Sequence, residues 1–384
     1  MKIGILQTAY KKADDYGKFY NVQELGLARA LASKGIQVTL YKAVDGQSRE
    51  YGECCGNLSV KLIGVKYLGI NGLLDVNVLD SSLDVLIYFC DTQIVVPKVY
   101  RWCLKNKVAF YPYVGVMDSH SESGIKREIM NFISGRNLKI YKKCTVFVKT
   151  PGIKDYLAGK GCRNTLLLGV GLDETVMNRE EVPKTDKNER ESDDASNRCK
   201  LLFVGRMEEE KHPMEMLAIY EELISDGTMS HNSSENAVRY SLTMIGDGYM
   251  YDEVVTAAGI LKKKYALSED CLKVIKKVPY EQMHSYFSQS DMYINLNRVE
   301  ILGMSILESM YYKCPVIAID APGPRFILRD EYGIIAHDTQ EICAAVRRMS
   351  ENYSDYNEMT ENAYKHVKGE FTWNSIAEKI IETF

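Results

Sequence analysis

The sequence predicts an α/β protein built from two doubly wound, parallel-sheet domains. Short apolar runs alternate with helix-period segments from the first residues, the alternation breaks at a charged stretch over 173–199, and it restarts immediately afterwards. At 384 residues the chain exceeds the size at which one hydrophobic core keeps growing, which agrees with two domains.

The opening reads as strand, loop, helix, strand. KIGILQTA is the first strand and a polar loop runs through Gly17. A helix carrying Val22, Leu25, Ala28 and Leu31 on one stripe stops at Gly35, and IQVTLY follows. Four more buried-strand runs, VKLIGV, DVLIYF, VAFYPYVG and CTVFVKT, complete a first Rossmann-like domain over 1–172. The segment 173–199 is rich in Asp, Glu and Asn and nearly free of large apolar residues, so it reads as a linker. A second Rossmann-like domain over 200–366 then runs CKLLFVG, a helix from Pro213 to about Ser225, YSLTMIG, a helix over 250–265, LKVIKKV, a helix at 281–289, MYINL, a helix at 304–312, and PVIAI. Residues 226–239 read as a polar surface insertion, and 367–384 as an amphipathic final helix with Trp373, Ile376, Ile380 and Ile381.

Composition narrows the function classes. With 46% hydrophobic and 26% charged residues, the chain is too apolar to be disordered. A net charge of -4 provides no general field for a nucleic-acid backbone, so nucleic acid is not the expected partner. The ten cysteines are scattered, and the adjacent Cys54 and Cys55 fit neither a zinc knuckle nor a redox pair, which reads as reduced thiols in the cytoplasm. MKIGILQTAY has no long apolar region or cleavage site and reads as a strand rather than a signal peptide, and no run reaches the roughly 20 apolar residues a span requires.

The chemistry-bearing segment is NRVEILGMSILESMYYKCPVIAID. On one continuous helix Glu300 and Glu308 would stand about 12 Å apart along the axis, too far to share one small group. Ending the strand near Leu296 and starting the helix at about Met304 is better. The free amides of Gly303, Met304 and Ser305 then face outward, a setting that favours phosphate. Glu308, one turn inside, could reach ribose hydroxyls, and Glu300 faces the other end of such a ligand. The plain alternative is two solvated acids near a helix start. In LLFVGRMEEEKHP, Gly205, Arg206 and Lys211 follow another parallel strand, where two cations could neutralise a diphosphate. The alternative for Arg206 and Lys211 is salt bridging to Glu208, Glu209 and Glu210.

These residues resemble the retaining glycosyltransferases of family 4, which have the GT-B fold of two Rossmann-like domains facing across a cleft. FVGR with Lys211, the GDG of 246–248, and Glu300 with Glu308 stand in that family's order and approximate spacing. LGVGLDET resembles its approach to the linker, and FTWNSIAEKI the helix that crosses back to the first domain. The resemblance implies that Arg206 and Lys211 bind the donor diphosphate, Glu308 the ribose and Glu300 the transferred sugar, with amides of Gly303 and Met304 completing the phosphate site. It places His120 near the donor sugar and Gly17 in the loop that approaches the substrates. It also puts the base near Val278 and Pro279, with Tyr280 against it. Ile301 and Leu302 replace the family's usual small and aromatic pair, and Arg325 stands where an acid is frequent.

The implied reaction moves a sugar from a UDP-, GDP- or ADP-linked donor to a polysaccharide, glycolipid or other cell-envelope acceptor held by the first domain. No cofactor is expected, and no metal, since there is no Asp-x-Asp where a metal would bridge the diphosphate and the nearest match, Asp193 with Asp194, falls in the linker. Helix 125–144 interleaves Lys126, Arg127, Arg136, Lys139, Lys142 and Lys143 with apolar residues. It reads either as an ordinary surface helix or as a peripheral contact with the inner face of an anionic membrane. A GT-B sugar-nucleotide epimerase and a non-catalytic nucleotide-sugar-binding protein are the competing readings. A nicotinamide dehydrogenase is disfavoured because the first strand-to-helix loop lacks G-x-G-x-x-G.

Overall fold

The computed structural model describes residues 1–12, 22–52, 56–117, 124–177, 198–229, 239–351 and 356–384. Gly17, Cys54, Cys55, His120, Asp193, Asp194, most of the predicted linker and the insertion from 230 to 238 lie outside the described residues. The chain divides into two compact units, Met1–Glu174 with Glu370–Phe384, and Thr175–Gly369.

Unit 1 is built on strands β1 (Lys2–Gln7), β2 (Gln37–Val44), β3 (Arg49–Gly52), β4 (Leu58–Gly64), the small hairpin β5 (Tyr67–Leu68) and β6 (Asn71–Gly72), β7 (Val85–Phe89), β8 (Ala109–Val114), β9 (Val146–Val148) and β10 (Thr165–Leu167). Its main sheet runs β10-β9-β8-β7-β1-β2-β4-β3, and only the β3–β4 pairing is antiparallel. Helices cover it: α1 (Gln23–Ser33), α2 (Val96–Asn106), α3 (Gly124–Tyr141) and α4 (Pro151–Gly159). Val85–Phe89 is buried along its whole length, as a central strand covered on both faces must be, which is why it reads as a continuous apolar run. Thr150 caps α4 through the Ile153 amide, and Pro151 in the first turn loses no helical bond.

Unit 2 carries β11 (Arg198–Val204), α5 (Pro213–Met229), β12 (Arg239–Ile245), α6 (Tyr251–Lys264), β13 (Leu272–Ile275), α7 (Tyr280–Gln289), β14 (Met292–Asn295), α8 (Met304–Tyr311), β15 (Val316–Ile319), α9 (Pro322–Ile327), β16 (Ile334–Ala336), α10 (Thr339–Glu351) and α11 (Asn357–Glu370). All six strands are parallel, in the order β13-β12-β11-β14-β15-β16. The order reverses between β11 and β14, and the crevice beyond the carboxyl ends of these two strands is where open α/β sheets bind ligands. Helix α5 runs to Met229, where the sequence reading begins a loop at 226; once a helix is nucleated, each further residue adds a bond at little cost.

The last helix, α12 (Trp373–Ile381), belongs to unit 1. The chain returns as a strand-like bridge, with the Leu172 amide donating to Phe371 O at 2.8 Å and the Trp373 amide to Leu172 O at 3.0 Å. Thr372 and Ser375 form a capping box that starts the helix. Trp373 is 1% exposed and sits edge-on to Phe89 and Tyr113. Gly26 of α1 lies beneath its indole, and a Cβ there would come within 2.3 Å of the ring, so only glycine lets α1 and α12 pack this closely.

Candidate active site

The loop after β11 is laced to the loop after β12. The Gly205 amide donates to Ile245 O, Met207 to Asp247 O and Met250 to Met207 O, each at 3.0 Å. The G-D-G at 246–248 follows from this closeness. A Cβ on Gly246 would stand 1.7 Å from Gly205 O, and one on Gly248 2.4 Å from Met207 O. A short 3-10 turn, Glu209–Lys211, comes next. The Glu209 amide donates to the Tyr249 hydroxyl at 3.0 Å, and His212 takes a left-handed conformation, φ 54°, that turns the chain into α5.

Beyond β14 the chain makes a second loop, organised by buried asparagines. Asn295 Oδ1 accepts the Asn297 amide, Asn297 Oδ1 accepts the Val299 amide, and Asn297 Nδ2 donates to Glu300 Oε2 at 2.9 Å. Gly303 ends the loop with φ 87° and is the N-cap of α8, so the helix begins at Met304, where the sequence reading begins it. Glu300 O accepts the Gly323 amide at 2.7 Å, and a Cβ on Gly323 would press on Glu300 O and Leu302 at 2.9 Å, which explains the glycine in A-P-G-P. Beneath the helix start, the buried Tyr293 hydroxyl shares a 2.6 Å bond with Ser305 Oγ and accepts from Asn295 Nδ2 at 3.1 Å. Burial pushes the Tyr293 phenol up, so it stays neutral.

The two loops meet across the switch point. Lys211 Nζ donates to Glu300 Oε2 at 2.8 Å, with side chains only 21% and 15% exposed. A second tie runs between them: Arg298 forks onto Glu215 of α5 at 2.7 and 2.6 Å, and His212 Nδ1 lies 3.1 Å from the same carboxylate. Glu308 is 4% exposed inside α8.

The structure thus brings Lys211, Glu300, Gly303, Met304 and Ser305 to one place, with Gly205 at the base of the Lys211 loop. Arg206 is not brought to Glu300. Its guanidinium is 62% exposed and pairs with Glu208 and, at 3.9 Å, with Glu210. Val278 is half-buried after β13, and the Tyr280 hydroxyl donates to the Met177 sulfur at 2.8 Å. Sequence reasoning missed Asn297, Arg298 and Glu215. The N-x-N at 295–297, with asparagines ending an apolar strand, was the available signal. Among the described residues no cluster of His, Cys, Asp and Glu is arranged to hold a metal.

Residues 184–366 match the family described as Glycosyl transferases group 1. The second unit is a glycosyltransferase domain. Solved structures share the fold over the whole chain. Sucrose-phosphate synthase from Thermosynechococcus elongatus is 16% identical, covers 100% of this chain and 98% of its own, and has a TM-score of 0.63. Anabaena HepE in complex with UDP and glucose is 13% identical, covers 100% and 99%, and has a TM-score of 0.62. A trehalose-6-phosphate protein from E. coli bound with UDP-2-fluoro glucose is 11% identical, covers 100% and 98%, and has a TM-score of 0.65. Among curated proteins none matches the chain in sequence. At these identities the likeness is one of fold, and the fold of this glycosyltransferase is the GT-B type with two Rossmann-like units.

Proposed function

We propose that this glycosyltransferase is a retaining enzyme of the family 4 type. It moves a sugar from a nucleotide diphosphate sugar to a polysaccharide, glycolipid or other cell-envelope acceptor, without a metal. The observation that carries the proposal is the Lys211–Glu300 pair at the switch point beside the start of α8. When the anomeric C–O bond breaks, negative charge collects on the departing diphosphate. The Lys211 ammonium and the positive N-terminal end of α8 are preorganised to meet that charge. Arg206, exposed and paired with Glu208, would turn to the diphosphate. Glu300 would then bind the transferred sugar and Glu308 the ribose, while His120, Gly17 and Val278 keep the roles that the resemblance implies.

Anabaena HepE is described with UDP, glucose and UDP-glucose, which makes UDP the first nucleotide to test here. Thermal-shift titration with UDP, GDP and ADP tests the reading, because a ligand that binds only the native state raises its melting temperature. No shift with any of the three, with or without added magnesium, overturns it. A shift that requires magnesium overturns the metal-free part.

We also assign α3 a peripheral contact at the inner face of the membrane. Ile133, Ser134, Asn137 and Tyr141 are buried, while Ile129 and Phe132 stand exposed at 54% and 74% near exposed Arg127 and Lys139. No helix among the described residues is long and apolar enough to cross a membrane. Flotation with anionic liposomes decides the point, since unchanged flotation after Arg127→Gln with Lys139→Gln removes the electrostatic contact.

A further inference from the structure

We propose that Glu215 is a positioning residue that holds the Lys211 loop and the Glu300 loop in register while substrate is bound. This inference rests on the reading that Lys211 meets the donor diphosphate. The two loops are joined by the Lys211–Glu300 bond and by the fork from Arg298 to Glu215, 83 residues apart in sequence. These two ties respond differently to a ligand. An incoming diphosphate competes with Glu300 for the Lys211 ammonium, so the first tie weakens at the moment the site must be most ordered. The second tie lies off the ligand path and persists.

Glu215 is well placed for the task. It stands in the first turn of α5, receives both terminal nitrogens of Arg298, and lies 3.1 Å from His212 Nδ1. His212 directly follows Lys211, and Arg298 stands two residues before Glu300, so one carboxylate anchors both loops close to their functional side chains. A simple exposed ion pair contributes little, but a planar fork on a carboxylate also fixes direction. The Glu215 side chain is 22% exposed, while Arg298, at 40%, remains open to solvent, so the fork's geometry rather than burial gives the pair its hold.

The test measures binding of UDP, GDP and ADP by calorimetry on the full chain, and continues with whichever binds. Glu215→Gln and Arg298→Lys should each weaken binding about tenfold, because a displacement near 1 Å is costly at such a site. The lysine keeps the charge and loses the fork, so wild-type affinity in Arg298→Lys overturns the proposal. In a Lys211→Ala background, Glu215→Gln should add less than about twofold, since its effect passes through Lys211. A full additional tenfold loss there points to general damage and also overturns it. If no diphosphate binds the wild-type chain, the functional reading fails on its own. Amide exchange in the ligand-free protein then judges the clamp: Glu215→Gln should speed exchange over 206–212 and 297–303 together, and unchanged rates refute the coupling.

Discussion

Substituting Gly246 by alanine is a severe test of how the site is built. The new Cβ would stand 1.7 Å from Gly205 O and 2.8 Å from Gly205 C, both backbone atoms that cannot rotate away. Real Cβ contacts stay beyond 3.0 Å, so the Gly205 carbonyl must retreat by at least 1.3 Å. Gly205 opens the loop that carries Lys211, and a shift of that size breaks the 2.8 Å bond to Glu300 unless the loop distorts elsewhere. Overpacking of this kind destabilises by about 1–3 kcal/mol, or roughly 2–12 °C in melting temperature for a domain of this length. A 1 Å misplacement can remove about a hundredfold of activity. Gly259→Ala is the matched control, because nothing lies within 4 Å of its Cβ in α6 and alanine raises helix stability by about 1 kcal/mol. Differential scanning fluorimetry and nucleotide calorimetry on both variants give the answer. If Gly246→Ala melts and binds like wild type, the close approach of the two loops does not set the site, and the argument fails.

Lys211→Ala should lower kcat/KM by about a hundredfold or more, because it removes charge stabilisation of the leaving group, while Glu209→Ala should change it less than about threefold; equal losses in a steady-state assay with the donor chosen by thermal shift refute the assignment. Tyr293→Phe should destabilise by about 1–3 kcal/mol, since Ser305 and Asn295 lose their buried partner, and an unchanged melting temperature would count against the support of the α8 start. Lys42→Met should cost about 3–5 kcal/mol by stranding Glu24, a partner 3.5 Å away with both side chains under 10% exposed, whereas adding Glu24→Leu should recover most of it. Burial holds the Lys42 ammonium below the ordinary lysine value of 10.5 despite Glu24. The unfolded chain therefore binds this proton more tightly, and Lys42 contributes a rise in stability as pH climbs toward that value; urea titrations of Lys42→Met with Glu24→Leu should lack that rise.

The apolar runs of the sequence lie where β1, β2, β4, β7, β8 and β9 are found, and in unit 2 they coincide with β11, β12, β13, β14 and β15 of the six strands. Burial on both faces made them continuous and therefore visible. Shorter elements escaped. β5 and β6 have only two residues each, too few for any period to register, and β10 and β16, with three each, are half-buried for most of their length, whereas the equally short β9 is fully buried and lies in a longer apolar run. Helix α10 was legible in principle, because Asp338 caps the Glu341 amide and Ile342, Ala345, Val346 and Met349 follow at helical spacing. At the site, Gly303 and the start at Met304 could be read because a glycine interrupts two otherwise regular patterns. The Arg298–Glu215 fork could not, since the partners lie far apart in sequence and each alone looks like a solvated charge. The lean of Arg206 onto Glu208 follows from neighbours that the sequence displays, whereas which acid Lys211 selects depends on the sheet order.

The return of the chain at Glu370 to unit 1 makes unit 2 an insertion within another domain rather than a bead on a string. A ribosome therefore delivers the whole of unit 2 before unit 1 can receive Trp373, so the first-made half must wait, with the groove over Gly26 open, until the later half has been synthesised. Excision has the same asymmetry: cutting at 174 and 370 removes unit 2 as one continuous piece, while no single cut releases unit 1 intact.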